Sequence, residues 1–343
     1  MSSDGTIEVR EAHRFDEAAL DRYLRANLPG YDGPLSVRQF SSGQSNPTFK
    51  LTTGNGRYVL RKKPPGKLLK SAHMIEREHR VFTALADTDV PVPKSYLLCE
   101  DESIIGTPFY VMDFLEGRVF TDNTLPELSP EERRAVYDDM NRVLAALHSV
   151  DYQARGLGDY GKPGNYFARQ VSRWSKQYID SKTDEIADME QLMKFLADNL
   201  PNDETTCIVH GDYQLYNLMY HPTEPRVLAV LDWELSTLGH PMADLAYNCM
   251  KYHQAGEMAP LMFGPSTGIP TEEEFVAQYC KRTGRIRVEN WNFYLAFSFF
   301  RLAAIVQGVY KRGLQGNASS AQALSMKDVV VETARVGWKV AQR

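Results

Sequence analysis

The stretch from Cys207 to Glu234, CIVHGDYQLYNLMYHPTEPRVLAVLDWE, sets polar side chains behind two apolar, strand-like runs: Asp212 and Asn217 after the first, Asp232 after the second. Asp212 and Asn217 stand five residues apart. A carboxylate and an amide at that spacing, followed by a second carboxylate, suit phosphoryl transfer. A triphosphate gathers negative charge that hard cations must neutralise before a nucleophile approaches, and Mg²⁺ takes carboxylate and amide oxygens. Asn217 and Asp232 are therefore the candidate magnesium ligands. A neutral hydroxyl also needs a carboxylate to orient it and accept its proton, and Asp212 is the candidate for that catalytic role. Gly, Asp and Asn favour ordinary turns as well, but a turn has no need of Asp232.

Such a loop needs a nucleotide-holding layer, and the first third of the chain reads as one. A short amphipathic helix over 16–28 is followed by strand-like runs from Leu35, Pro47 and Arg57, the last two joined by Gly54-Asn55-Gly56, a hairpin signal. Ser41, Ser42, Gly43, Gln44 and Ser45 lie between the first two runs, where small residues can close over phosphates. In the third run Val59, Arg61 and Lys63 share one face. Arg61 is the candidate phosphate-binding cation, two residues after the small apolar Val59; the neighbouring lysines remain open alternatives. A helical stretch from Ser71 carries Glu76 and Glu78, one of which should orient that cation. Two more strand-like runs end at Met112, Asp113 and Leu115, a candidate hinge whose backbone reads an adenine edge beside Met112.

Beyond Ser129 the pattern is helical, beginning with a Ser N-cap, Pro130 and first-turn acids. Asp244, in a later helix, is read as a brace for the catalytic loop. The most apolar stretch, Trp291 to Tyr310, is interrupted by Asn292, Arg301 and Gln307, so a buried core helix is expected rather than a membrane span. A net charge of −5 without a long basic block argues against a nucleic-acid partner. The four cysteines are widely spaced, which suits a reducing, cytoplasmic setting.

HGDYQLYN and LDWE, with YVLRKKPPG and the EREH helix, resemble the aminoglycoside phosphotransferase and choline kinase-like family, relatives of protein kinases. The resemblance implies an α+β, bilobal protein kinase-like fold: an N-lobe over 1–115 with an antiparallel sheet plus helix, and a mainly helical C-lobe over 116–343. It implies ATP and Mg²⁺ as cofactors, Arg61 in place of the usual strand lysine, and Glu78 rather than Glu76 as its partner. SSGQSNPTF, LLKSAHMIEREHRV and DWELSTLGHPMADLAY are similar to the branch found fused to acyl-CoA dehydrogenases. That branch implies a small-molecule acceptor, the hydroxyl of a 4-hydroxyacyl-CoA, with dehydrogenation left to a separate protein in the same pathway. Another small molecule (an aminoglycoside, choline or a sugar) and a non-catalytic nucleotide-binding module are the rival readings. Residues 285–312 carry five Lys and Arg against Glu289 alone, which favours a phosphate-bearing acceptor over a polycation, and Arg301 is the candidate substrate contact.

Overall fold

The computed structural model describes residues 5–41, 46–64, 74–254, 256–316 and 321–343. The chain divides into two compact units, Met1–Arg118 with Leu218–Ser236, and Val119–Asn217 with Thr237–Arg343.

The first unit is built on six antiparallel strands: β1 (Thr6–Ile7), β2 (Ser36–Phe40), β3 (Thr48–Thr52), β4 (Arg57–Lys62), β5 (Ser95–Cys99) and β6 (Phe109–Asp113), ordered β1-β2-β3-β4-β6-β5. The Gly54-Asn55-Gly56 turn sets the β3–β4 register, Thr52 opposite Arg57 and Thr48 opposite Arg61. Alternation sends Phe49 and Leu51 of β3, Leu60 of β4 and Phe109 and Val111 of β6 into one core, which Leu20 and Leu24 of α1 (Glu17–Asn27) complete. Burying each such side chain is worth about 1.5–3 kcal/mol. Helix α2 (Ile75–Ala84) buries Ile75, Glu78, Val81 and Phe82. The antiparallel pair Leu218–Tyr220 and Val227–Val230 also belongs to this unit and ends just before Asp232.

The second unit is mainly helical, with α3 (Pro130–Ser149), α4 (Tyr166–Ser181), α5 (Ala187–Asp198), α6 (Met242–Gln254), the single turn α7 (Ala259–Met262), α8 (Glu272–Thr283), α9 (Trp291–Leu314) and α10 (Met326–Ala341). Helix α3 opens with a reciprocal cap: Ser129 Oγ accepts from Glu132 N–H, and Glu132 Oε2 accepts from Ser129 N–H. Helix α9 is the hub, packed on α4, α5, α6 and α10. By length and composition it could cross a membrane, but 72% of its most apolar window is buried in the protein. Phe293, Tyr294, Phe297, Phe299 and Phe300 are all core residues.

Helix α10 is poorly signalled in the sequence because its contact face is built from small residues, Thr333, Ala334 and Gly337. A Cβ at Gly337 would come 2.7 Å from Phe299 Cβ, so its glycine is what permits the close approach to α9.

Lys251 is a buried cation of this unit with no ion pair to an acid among the described residues. Lys251 of α6 is 5% exposed, donates to Asn248 Oδ1 at 2.7 Å and lies over the rings of Tyr137, Tyr252 and Phe275. Burial pushes its ammonium down to about 8. An unfolded lysine titrates near about 10.4, so between about pH 8 and 9.5 the folded chain binds fewer protons than the unfolded one and stability gains with rising pH from this group. Lys251→Met removes that gain: the difference in thermal midpoint between variant and native protein should change across pH 8–9.5, and a constant difference would assign the lysine an ordinary titration.

Candidate active site

The helical unit holds Asp212 in a loop whose backbone is pinned at nearly every step. The strand Cys207–Val209 pairs antiparallel with Thr237–Gly239 and delivers His210 and Gly211, the latter at φ +85°, where glycine is favoured. Asp244, fully buried at the start of α6, accepts from His210 N–H at 2.6 Å and Gly211 N–H at 2.8 Å; His148 Nε2 lies 3.3 Å from the same carboxylate. Burial raises the Asp244 carboxyl, but His148 and the amide donors outweigh it and hold it below the ordinary range. Asn248 Nδ2 donates to Tyr213 O, Tyr213 Oη donates to Met140 O, and Gln214 Nε2 donates to Tyr247 O.

The Asp212 carboxylate is thereby presented with both oxygens in use. Oδ2 accepts from Asn217 Nδ2 at 3.0 Å, and Oδ1 accepts from the hydroxyl of the exposed Tyr216 at 3.0 Å. Asn217 Nδ2 also donates to Asp212 O. With its nitrogen so committed, Asn217 keeps its amide oxygen as the end a hard cation takes. The spacing of five residues thus closes the loop on itself through a short 3₁₀ turn at Leu215–Asn217.

The sheet unit assembles the other candidates. Arg61 Nε lies 2.9 Å from Glu78 Oε2, and Arg61 Nη2 donates to Asp232 Oδ1 at 2.9 Å. Glu78 is buried and also accepts from Asn46 Nδ2 and Tyr110 Oη. Burial, with the charges of Asp232 and Glu234, outweighs the pull of Arg61 and Tyr110 and holds its carboxyl above the ordinary range. Glu76 pairs instead with Lys63, and Lys62 is buried on the opposite side against Phe15. Asp232 sits at φ +62°, a strained conformation for a non-glycine residue and a frequent mark of a functional position. Oxygens of Glu78, Asp232 and Glu234 lie within 4.8 Å of one another. This all-oxygen donor set fits a hard divalent cation.

Val59 stands opposite Met112 in the β4–β6 ladder. The Asp113 N–H is spent on Lys94 O, whereas Leu115 has no backbone hydrogen bond among the described residues, leaving Leu115 as the hinge backbone open to a ligand. Ser41 N–H and Oγ both go to Gly5 O. Ser42, Gly43, Gln44 and Ser45 lie outside the described residues. Arg301 is found within the helical unit, donating to Gly211 O at 2.7 Å. Tyr216, Tyr247 and Asn248 were not anticipated. The legible signal was the recurrence of polar residues at Asp244, Asn248 and Lys251, one face of an otherwise apolar helix.

Comparison with known proteins places the chain in a family and a fold. The model of the phosphotransferase enzyme family matches residues 36–287. Mouse acyl-CoA dehydrogenase family member 10 is 48% identical over 98% of this chain, and rat family member 11 is 47% identical over 98% of it. The chain spans only 32% of the former and 45% of the latter. A crystal structure from Ralstonia eutropha, described as a candidate aminoglycoside phosphotransferase, is 54% identical with a TM-score of 0.87, covering 96% of this chain and 99% of that one. A mutant of aminoglycoside phosphotransferase APH(4)-Ia, in ternary complex with ADP and hygromycin B, shares the fold at 15% identity and TM-score 0.62, covering 94% of this chain and 98% of its own.

Asp244→Asn places an amide NH₂ where the carboxylate accepts two backbone N–H groups. It should cost about 2–4 kcal/mol of stability, since buried charged hydrogen bonds are lost and a donor is left facing a donor. Hydrogen exchange at the His210 and Gly211 amides should accelerate more than exchange in α10; equal protection in the variant would remove Asp244 from its bracing role.

Proposed function

This chain belongs to the phosphotransferase enzyme family, and we propose that it uses ATP and Mg²⁺ to phosphorylate the hydroxyl of a 4-hydroxyacyl-CoA. The fold is protein kinase-like α+β, and the enzyme class is a phosphotransferase acting on an alcohol. The observation that carries the mechanism is the Tyr216 hydroxyl on Asp212 Oδ1: a neutral alcohol already occupies the place on the carboxylate that an acceptor alcohol requires. Tyr216 stands in for the acceptor, and the acceptor replaces it.

In this reading Asp212 orients the acceptor hydroxyl and takes its proton as phosphate transfer proceeds. Asn217 fixes the carboxylate through its amide nitrogen and offers its oxygen to magnesium. Asp232 is the main metal-holding carboxylate; Arg61, oriented by Glu78, contacts phosphate; Met112, Val59 and the Leu115 backbone receive the adenine. Bound magnesium would neutralise phosphate oxygens and raise the electrophilicity of the transferred phosphorus.

The acceptor assignment rests on the acyl-CoA dehydrogenase names of the relatives and on the charge of residues 285–312. The partner we propose is an acyl-CoA dehydrogenase activity of the same pathway, in the cytoplasm.

Assaying ATP-dependent phosphorylation of 4-hydroxyacyl-CoAs of several lengths beside kanamycin, choline and sugars tests the acceptor. Phosphate should pass to a hydroxyacyl-CoA; transfer to polyamines or choline with none to any hydroxyacyl-CoA would overturn it. Asp212→Asn should lower kcat by about 10²- to 10⁴-fold with similar nucleotide affinity, the range of general acid–base groups. By calorimetry, Asp232→Ala should abolish the magnesium-dependent part of nucleotide binding and Asn217→Ala should weaken it less. Unchanged magnesium dependence in the Asp232 variant would move the metal site elsewhere.

A further inference from the structure

Arg301 lies in the middle of α9 and is 8% exposed. Its guanidinium carries five N–H donors. One nitrogen, Nη2, donates to Gly211 O, the carbonyl of the peptide joined to Asp212. The charged carbon sits 5.2 Å from the Tyr247 ring and 5.9 Å from the Trp174 ring. Among the described residues Arg301 makes no ion pair with any carboxylate. Taking a guanidinium out of water costs several kcal/mol, which a single carbonyl and two ring contacts offset only in part. Cation–π contact uses the charge and leaves the N–H groups in the guanidinium plane to hydrogen bond.

The same tyrosine connects this cation to the catalytic carboxylate. Burial, followed by the charge of Asp212 and of its opposing partner Arg301, sets the Tyr247 phenol, which is pushed up to about 12. Arg301 and Asp212 therefore flank one side chain. A molecule whose hydroxyl replaces Tyr216 on Asp212 comes next to a buried, under-neutralised cation. Trp174 is itself only partly buried, with its Nε1 on Gln170 Oε1, and supplies an apolar wall at the same point.

We infer that Arg301, framed by Trp174 and Tyr247, is the acceptor's oxygen-binding point: it takes the acyl oxygen, thioester carbonyl or free carboxylate, of the molecule whose hydroxyl Asp212 holds. The inference rests on the proposed acceptor reading and adds the group that distinguishes a hydroxyacyl acceptor from a plain alcohol. A planar guanidinium offers paired donors to a carboxylate and a single strong donor to a carbonyl.

The test compares native protein, Arg301→Lys and Arg301→Gln on three acceptors of one chain length: the 4-hydroxyacyl-CoA, the free 4-hydroxy acid and the diol without an acyl oxygen. Arg301→Gln should lower kcat/KM for the first two on the order of 10²-fold, mainly through KM, and for the diol by less than about 10-fold. Loss for the acid but not the thioester identifies a carboxylate ligand, loss for both a shared acyl oxygen. Equal loss on all three acceptors, or loss of the diol reaction alone, would reduce Arg301 to a brace for Gly211 and overturn the inference. Arg301→Lys, which keeps the charge and loses the fork, should fall between. If no acceptor is turned over, the acceptor reading has failed, and the inference is then decided by titrating tryptophan emission with 4-hydroxybutyrate. A saturable change abolished by both Arg301→Gln and Trp174→Phe supports it; no saturation with native protein, or saturation retained in Arg301→Gln, overturns it.

Discussion

The helical unit depends on one buried carboxylate. Asp244 is surrounded by donors rather than by water: two consecutive loop amides and His148. A buried carboxylate stripped of these partners would pay a large desolvation penalty, so the loop can relax only by exposing or protonating the acid. This fixes the peptide planes of His210 and Gly211, and with them the direction in which Asp212 leaves the backbone. The next turns of the same helix extend the effect. Tyr247 O receives Gln214, and Asn248 holds Tyr213 O. The geometry of the loop that carries Asp212 is therefore set by α6, an element that contributes no proposed reacting atom.

The sheet unit handles its acids differently. Glu78 is buried and surrounded by Arg61, Asn46 and Tyr110, whereas the Asp232 side chain is 38% exposed and shares Arg61 with it. The buried acid fixes the cation; the exposed one remains able to exchange it. Such a division lets one guanidinium neutralise the cluster without locking the carboxylate that the proposed metal requires. Lysine in this place would offer a point charge with a shorter reach. The arginine fork touches Glu78 and Asp232 together, and that double contact is the structural content of the substitution.

What was legible in the sequence followed strong local periods and motif chemistry. Alternation and the Gly-Asn-Gly turn located β3 and β4, and capping residues located the start of α3. HGDYQLYN with LDWE singled out Asp212, Asn217 and Asp232 as candidates, because those residues are constrained by spacing along the chain. The pairing of Glu78 with Arg61 followed from the family resemblance, since strand and helix periodicity left Glu76 equally open. Two kinds of feature stayed illegible. Helix α10 packs through small residues, which carry little hydrophobic signal although they permit the closest approach. The contacts of Tyr216 with Asp212 and of Tyr247 with Arg301 depend on side-chain direction, which residue spacing alone does not specify.

The basic stretch 285–312 shows why a charge count and a charge environment differ. Arg287 pairs with Glu289 at the surface, Arg285 approaches Asp203, Lys311 is bonded to Asp180 O, and Arg312 is exposed. Exposed charges are screened within about 8–10 Å at physiological ionic strength, and paired ones are largely neutralised. Their sum still steers an anion toward the protein, but it carries little information about which anion. Arg301 is the opposite case: it is buried, makes no ion pair with an acid among the described residues and is fixed by a hydrogen bond to the loop that carries Asp212. The discriminating part of the five-cation signal is thereby concentrated in the residue least visible to solvent, and its orientation is governed by the same loop that Asp244 holds.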